Sequence, residues 1–523
     1  MSTPWWQRNR KRSLLLSMLF LLTAAALGTA PTDAKSSDKT PDPVLEWNQV
    51  FIDTLIATNT PNSSSQRLGA IVHTAIFDAL NGIERRYTPI FVHERATRGA
   101  SRRAAVVSAA YTALVSLFPT RTVQLTEKYD AALAALVDDG GDGGQSLQRG
   151  IEWGTHVAGA VHAWRLNDGF AVPQSPFFGG TAVGQWRMTS NCNQLVGMTA
   201  QSLAFTDMFV LDTNRQFQPP PPRAISGDTD TYVTDFNAVK ALGRATGSSR
   251  TADQTALAPF WEGNASVHWN QAANQIALAN HLSMSDSNRL LAVLNLAMAD
   301  TAFTVWRAKR DYGERSTEVT WRPWTAILLA DTDGNGATLA DPLWAPLVAT
   351  PCHPEYPAGH PGQNGAAATV LLSHFADAQT FTLTTRFVVN GQPVDVPRTY
   401  TSISQARTDG NDARAWGGMH YPSTIAVSDV VGAEVAEYVN ANAMRRRPSH
   451  FSVLSSRFSV LGSRSQFEVL SSKFSVRSSR ANQPCTSTWP RCARSRALAA
   501  CVHGRTFGNR CVVQVTPPET HRR

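Results

Sequence analysis

Apolar residues recur at helical spacing along most of this chain. Leu68, Ile71, Val72, Ala75, Ile76, Ala79, Leu80 and Ile83 follow the i, i+3, i+4, i+7 pattern, the stripe of a helix laid on a core. The polar cluster 62–65 precedes the stripe and predicts its cap. The same periodicity predicts helices over 104–117, from Leu290 through Leu294 and Met298 to Trp306, and over 423–439. One segment breaks the period. Residues 380–389 alternate as a strand does and meet Asn390-Gly391, a hairpin turn pair. The proline run 219–222 reads as an ordered surface excursion. Together these patterns predict an all-α protein, a large helical bundle with a small β-hairpin excursion.

The two ends follow other rules. Arg8, Arg10, Lys11 and Arg12 precede an apolar run over 13–28, and small residues lead to Ala34. That layout predicts a signal peptide over 1–34 and an exported protein. The run is 16 residues long, short of the ~20 that a spanning helix needs. No later stretch reads as a membrane span. Residues 35–44 form a polar linker, and 45–444 the helical domain. From Arg445 a Ser/Arg-rich repeat begins at Phe451, Phe458, Phe467 and Phe474. Its few apolar residues do not offset the entropy of ordering, so 445–523 reads as a basic, disordered low-complexity tail.

Charge is divided along the same lines. The chain carries +8 in total, but the tail holds +13 and residues 1–34 hold +3, which leaves the body 35–444 at −8. An acidic body argues against nucleic acid as a partner. Of six cysteines only Cys192 and Cys352 lie in the body. An exported chain is free to form disulfides, yet two cysteines do not make a disulfide scaffold. The tail cysteines match no zinc spacing, nor do Cys352, His353 and His360. Asp331, Asp333 and Asn335 open like a calcium loop, but the twelfth position is Pro342, so a polar turn is the better reading and calcium is not expected.

The chemistry concentrates in the last part of the body. Pro354 to His360 reads Pro-Glu-Tyr-Pro-Ala-Gly-His, Arg414 to His420 reads Arg-Ala-Trp-Gly-Gly-Met-His, and Arg322-Pro323 lies upstream. Arginines grip tetrahedral oxyanions in bidentate fashion. A Gly turn lets backbone N–H groups approach closely. One imidazole can ligate or attack the central atom while another moves protons.

These motifs resemble those of the vanadium-dependent haloperoxidase and type 2 phosphatidic acid phosphatase superfamily, and most nearly its secreted bacterial haloperoxidase-like members. The likeness runs over about 44–438 and includes the helix from Ala70 and the stretch from Arg215. It implies vanadate as cofactor, or phosphate in a phosphatase. His420 would be the axial metal ligand or nucleophile, and His360 the opposing proton donor and acceptor. Arg322 and Arg414 would clamp the anion, with Gly359 offering its N–H. His353 stands where bromoperoxidase-like sites carry a second histidine. Three departures stand out. Ala358 and Ala413 replace serines, and Lys309 lies thirteen residues before Arg322 where the family spacing is seven. Six extra residues near 313–320 therefore separate them, so either Lys309 still reaches the anion, or Arg310 or Arg315 takes its place, or the lysine function is lost.

The expected function is an exported vanadate-dependent haloperoxidase that oxidises halide, bromide by preference, with hydrogen peroxide and passes it to a small organic substrate. An acid or lipid phosphatase working through a phosphohistidine is the alternative. A catalytically weakened envelope protein is the third reading, motivated by Ala358 and the displaced Lys309. No stable membrane insertion is expected after signal cleavage.

Overall fold

The structure is a computed structural model that describes residues 41–136, 144–223, 225, 229–313 and 319–447. The expected signal peptide, most of the expected linker and the repeat tail lie outside the described residues, as do the tail cysteines and Arg315. Thirteen α-helices and one hairpin are described. The N-terminal half holds α1 (Pro43–Ala57), α2 (Asn62–Glu84), α3 (Arg102–Leu117), α4 (Thr122–Ala134) and α5 (Gln145–Leu166). Then come α6 (Thr229–Leu242), α7 (Ala252–Phe260), α8 (Ala265–Ala279) and α9 (Met284–Gly313). The last third holds α10 (Pro323–Leu328), α11 (Gly359–His374), strands β1 (Phe381–Val389) and β2 (Gln392–Tyr400), α12 (Ile403–Trp416) and α13 (Pro422–Asn442).

The four helices predicted from periodicity all form, each somewhat longer than its apolar stripe. Polar 62–65 lies inside α2 rather than before it, because Pro61 takes the cap position. Asn62 is thereby free to reach sideways, and its Oδ1 accepts the Ala265 N–H at the start of α8. The hairpin forms as predicted, antiparallel, with Phe381 opposite Tyr400 and Val389 opposite Gln392.

Helix α9 is the centre of the molecule. It packs against α2, α11 and α13, and it is buried along most of its length because neighbours surround it. Its length and apolarity suffice to cross a membrane, which corrects the sequence reading that no later stretch does; 94% of that apolar window is buried inside the protein. Asp300 near its middle accepts the N–H groups of Phe209, Val210 and Leu211. That anchors the long excursion before α6 to the core. The proline run is ordered too: the phenols of Tyr312 and Tyr356 donate to the carbonyls of Pro219 and Pro220.

Helices α11 and α13 touch backbone to backbone. A Cβ on Gly432 would lie 1.9 Å from the Gly362 carbonyl oxygen, and one on Gly365 would lie 2.1 Å from that of Asp429. Only glycine fits such an approach. This contact sets the N-terminus of α11 beside that of α13, and the Gly359-His360 and His420 motifs lie there.

Candidate active site

Each motif places its side chain at a helix end. Arg322 is the N-cap of α10, ahead of Pro323. Gly359 and His360 open α11, whose cap residue Ala358 gives no side-chain bond. His420 comes just before Tyr421, the cap of α13, and Arg414 lies in the last turn of α12. The N-termini of α11 and α13 thus present their positive dipole ends to one region. A cavity of about 330 Å³ lies there, walled by Asn62, Glu262, Trp306, His353, His360, Arg414 and His420 among others.

His420 is buried between two partners of opposite kind. Its Nδ1 lies 3.0 Å from Glu355 Oε1, and its Nε2 lies 3.0 Å from Arg322 Nη1. A guanidinium only donates. Nε2 must therefore carry the lone pair, and Nδ1 the proton that Glu355 accepts. Glu355 also accepts from the Tyr421 N–H and the Thr424 hydroxyl. Burial pushes Glu355 up to about 7 against the pull of Arg322. Burial, then Arg322 and Lys309, holds His420 well below the usual histidine value, so it is neutral.

Every nitrogen of Arg322 has a partner. Nε donates to the His353 carbonyl, Nη1 to the Met419 carbonyl as well as His420, and Nη2 to His353 Nδ1 at 2.9 Å. The 3.2 Å approach of that same Nδ1 to the Pro354 carbonyl is then a contact rather than a bond, and the proton of His353 sits on Nε2. The His353 ring leans on Trp306, 5.3 Å between centroids. Burial depresses the Arg322 guanidinium to about 9.

Arg414 is 1% exposed and donates to Glu262 Oε2 at 2.8 Å and to the Trp261 carbonyl. Its Nε has no hydrogen-bond partner. His360 Nε2 donates to the Gly263 carbonyl at 3.2 Å, with the Asn62 amide 3.4 Å away. Its Nδ1 therefore holds the lone pair.

Lys309 sits one turn before the end of α9, fully buried, and donates to the carbonyls of Pro354 and Glu355 at 2.6 and 3.3 Å. It stands behind the cavity wall, close enough to Arg322 that their repulsion, after burial, lowers its affinity for a proton. Arg310 instead lies over the Phe177 ring, away from this cluster. Ala358 is buried behind the wall, its N–H taken by Ser428 Oγ at 2.7 Å. Gly359 is on the wall, with Trp306 against it.

Sequence reading missed four participants. Glu355 was visible as the lone acid inside the Pro-Glu-Tyr-Pro-Ala-Gly-His motif but drew no role. Glu262, Asn62 and the Cys192–Cys352 disulfide carry only weak signals; for the last, being the only two cysteines of the body was the hint. The disulfide joins the segment just before His353 to the excursion, and the Thr199 N–H donates to the Cys352 carbonyl beside it. The 331–336 turn is built by Asp333, which accepts the Asn335 N–H and the Thr338 hydroxyl.

The arrangement suits an oxyanion. Arg322 and Arg414 bring two guanidinium groups to the cluster, with the Lys309 amine behind them, against Glu355 inside and Glu262, 41% exposed, at the rim. The unpartnered Arg414 Nε and the N-terminus of α11, which no cap side chain closes, add donors to the region. The neutral His420 Nε2 supplies one lone pair for a central atom.

Residues 289–448 match the family model described as the VCPO second helical-bundle domain. A solved bacterial vanadium-dependent iodoperoxidase is similar over 78% of this chain and 98% of its own, with 21% identity and a TM-score of 0.64. A holo-type bacterial vanadium-dependent chloroperoxidase is similar over 72% of this chain and 91% of its own, with 17% identity and a TM-score of 0.55. No curated protein matches the chain. The chain therefore carries a VCPO second helical-bundle domain on the fold of the vanadium-dependent haloperoxidases, the superfamily that its His360 and Arg414–His420 motifs resemble.

Proposed function

We propose that this protein is an exported vanadate-dependent haloperoxidase. One observation carries the reading: Nε2 of His420, left with the lone pair by the tautomer that Glu355 and Arg322 fix, borders a cavity that Arg414 also lines, and the Nε of Arg414 has no partner. Vanadate bound there would supply a Lewis-acidic oxo-centre that activates hydrogen peroxide toward halide. His420 would hold it through Nε2. Arg414, through its unpartnered Nε, and Arg322, by releasing Nη1 from His420, would grip its oxygens. The Gly359 N–H, at the positive end of α11, would take another oxygen. Lys309, from behind the wall, would fix the Pro354 and Glu355 carbonyls. His360, neutral because burial and Arg414 disfavour its cation, would accept a proton at Nδ1 from incoming peroxide and return it later. Bromide is the halide that His353 favours.

The same lone pair could attack phosphorus, so a phosphatase is the second reading, with His360 protonating the leaving group. The test is to add orthovanadate to the full chain and compare peroxide-dependent oxidation of iodide, bromide and chloride with hydrolysis of a phosphate monoester. Halide oxidation that requires vanadate and disappears in His420→Ala supports the proposal. Phosphate hydrolysis that vanadate inhibits overturns it in favour of the second reading, and neither activity favours a weakened site.

A further inference from the structure

Beside the anion cavity lies a second one, of about 410 Å³, lined by Pro259, Leu347, Val348, Phe387, Glu262 and Ala349 among others. Its size falls in the ~300–1,000 Å³ range of small-molecule sites. Glu262 and Ala349 also line the anion cavity, so the two adjoin at that pair of residues. One wall is the hairpin. Register puts Phe381, Leu383, Thr385, Phe387 and Val389 on one face of β1, and Thr385 is opposite Val396 and Phe387 opposite Val394. The near end of this face is buried on α8, where Gln271 and Gln275 accept the Thr384 and Thr382 N–H groups. The far end projects outward, with Val394 41% and Val396 39% exposed. The apolar face thus continues beyond the body it packs on.

From this geometry we infer that the second cavity binds a neutral, apolar organic molecule, aromatic or olefinic, as the acceptor of the oxidised halogen. The inference rests on the haloperoxidase reading for the acceptor's role, though not for the binding. Charge selects the class. The Glu262 carboxylate at the junction is spent in an ion pair with Arg414 at 2.8 Å and leaves no free charge for an ionic ligand. Arg386, the cation on this rim, is held in a two-point pair by Asp395 at 2.7 Å. Apolar walls of Pro259, Leu347, Val348 and Phe387 reward a flat hydrophobic body. In the transfer itself an aromatic acceptor exchanges a ring hydrogen for the halogen of hypohalous acid. The O–halogen bond breaks, a C–halogen bond forms, and the ring proton leaves with hydroxide as water.

Equilibrium dialysis of the full chain with naphthol, and with naphthalene sulfonate as its anionic match, tests the site without turnover. Naphthol should bind saturably, about tenfold more tightly than the sulfonate. Phe387→Ser and Leu347→Gln, on separate segments, should each weaken it by about tenfold, the loss expected for one large apolar contact. Naphthol binding unchanged in both variants, or sulfonate binding as tight as naphthol, overturns the inference. Halogenation assays keep the two claims apart: an inert protein with variant-sensitive naphthol binding retains the site and loses the activity, whereas an active one with variant-insensitive binding does the reverse.

Discussion

Glu355 Oε1 accepts the Nδ1 proton of His420 at 3.0 Å, while neither carboxylate nor ring nitrogen is exposed to water. This pairing decides which nitrogen of His420 faces the cavity. Glu355→Ala should release the ring and cost about 10- to 100-fold in affinity for vanadate or phosphate, as loss of such an orienting partner does in metal sites. Glu355→Gln keeps an acceptor and should cost less. Competition dialysis with labelled phosphate reads both.

The same carboxylate links stability to pH. Its ordinary value is 4.5, and burial raises it to about 7 in the folded chain. The folded state therefore holds this proton more tightly than the unfolded one. The stabilisation is full below the unfolded value and is lost as pH rises through the folded value. Across that window the wild type should lose stability relative to Glu355→Gln, on the order of 3 kcal/mol. Urea denaturation of both proteins on either side of the window measures it. Parallel pH profiles would mean that Glu355 titrates as an ordinary carboxyl.

Arg414 offers a planar fork, one arm spent on Glu262 and one N–H unspent. Arg414→Lys preserves charge and loses the fork. Oxyanion affinity should fall by about 10-fold or more, the worth of a charge-assisted hydrogen bond of ~1.5–3 kcal/mol. Isothermal titration with vanadate checks this, and an unchanged affinity would show that Arg414 acts only as a charge.

Ala358 caps α11 without a side-chain acceptor. Ala358→Ser should stabilise the protein by about 1 kcal/mol through the cap and strengthen anion binding, since the residue adjoins Gly359 on the cavity wall. Thermal melting with and without phosphate separates the two effects. A melting gain that phosphate does not enlarge would limit the position to capping.

Reduction tests the disulfide. Cys192 and Cys352 are 160 residues apart in sequence, and loss of such a link typically costs about 2–4 kcal/mol. Cys192→Ser should lower the urea midpoint accordingly and make it insensitive to reductant. Because Cys352 precedes His353, anion affinity should fall with it; equal affinity in the reduced protein would make the link purely structural.

How much of this was legible in the sequence follows from what each feature depends on. The stripe from Leu68 to Ile83 and the Leu290–Trp306 run announce α2 and α9 because their burial is periodic. Asn390-Gly391 announces the hairpin because a local turn sets it. Helices such as α5 and α12 bury residues at helical spacing, but Gly150, Gly154 and Ala158 in one and Ala406, Gly410 and Ala413 in the other make a stripe too weakly apolar to stand out. The histidines and arginines of the site were legible because short motifs carry them. Glu262, Asn62 and the disulfide were not, because their partners lie 152, 298 and 160 residues away in sequence. Lys309 was legible as a residue near the motif but not in its placement: its ammonium turns to the Pro354 and Glu355 carbonyls behind the wall, which only the packed loop reveals.

The most direct test of the central claim is equilibrium dialysis of orthovanadate against the full-length protein and its His420→Ala variant. The account predicts one vanadate per wild-type chain, displaced by phosphate, and binding weakened by two orders of magnitude or more (roughly 3 kcal/mol) when the imidazole is removed. Equal vanadate binding by the two proteins, or none by the wild type, would contradict it.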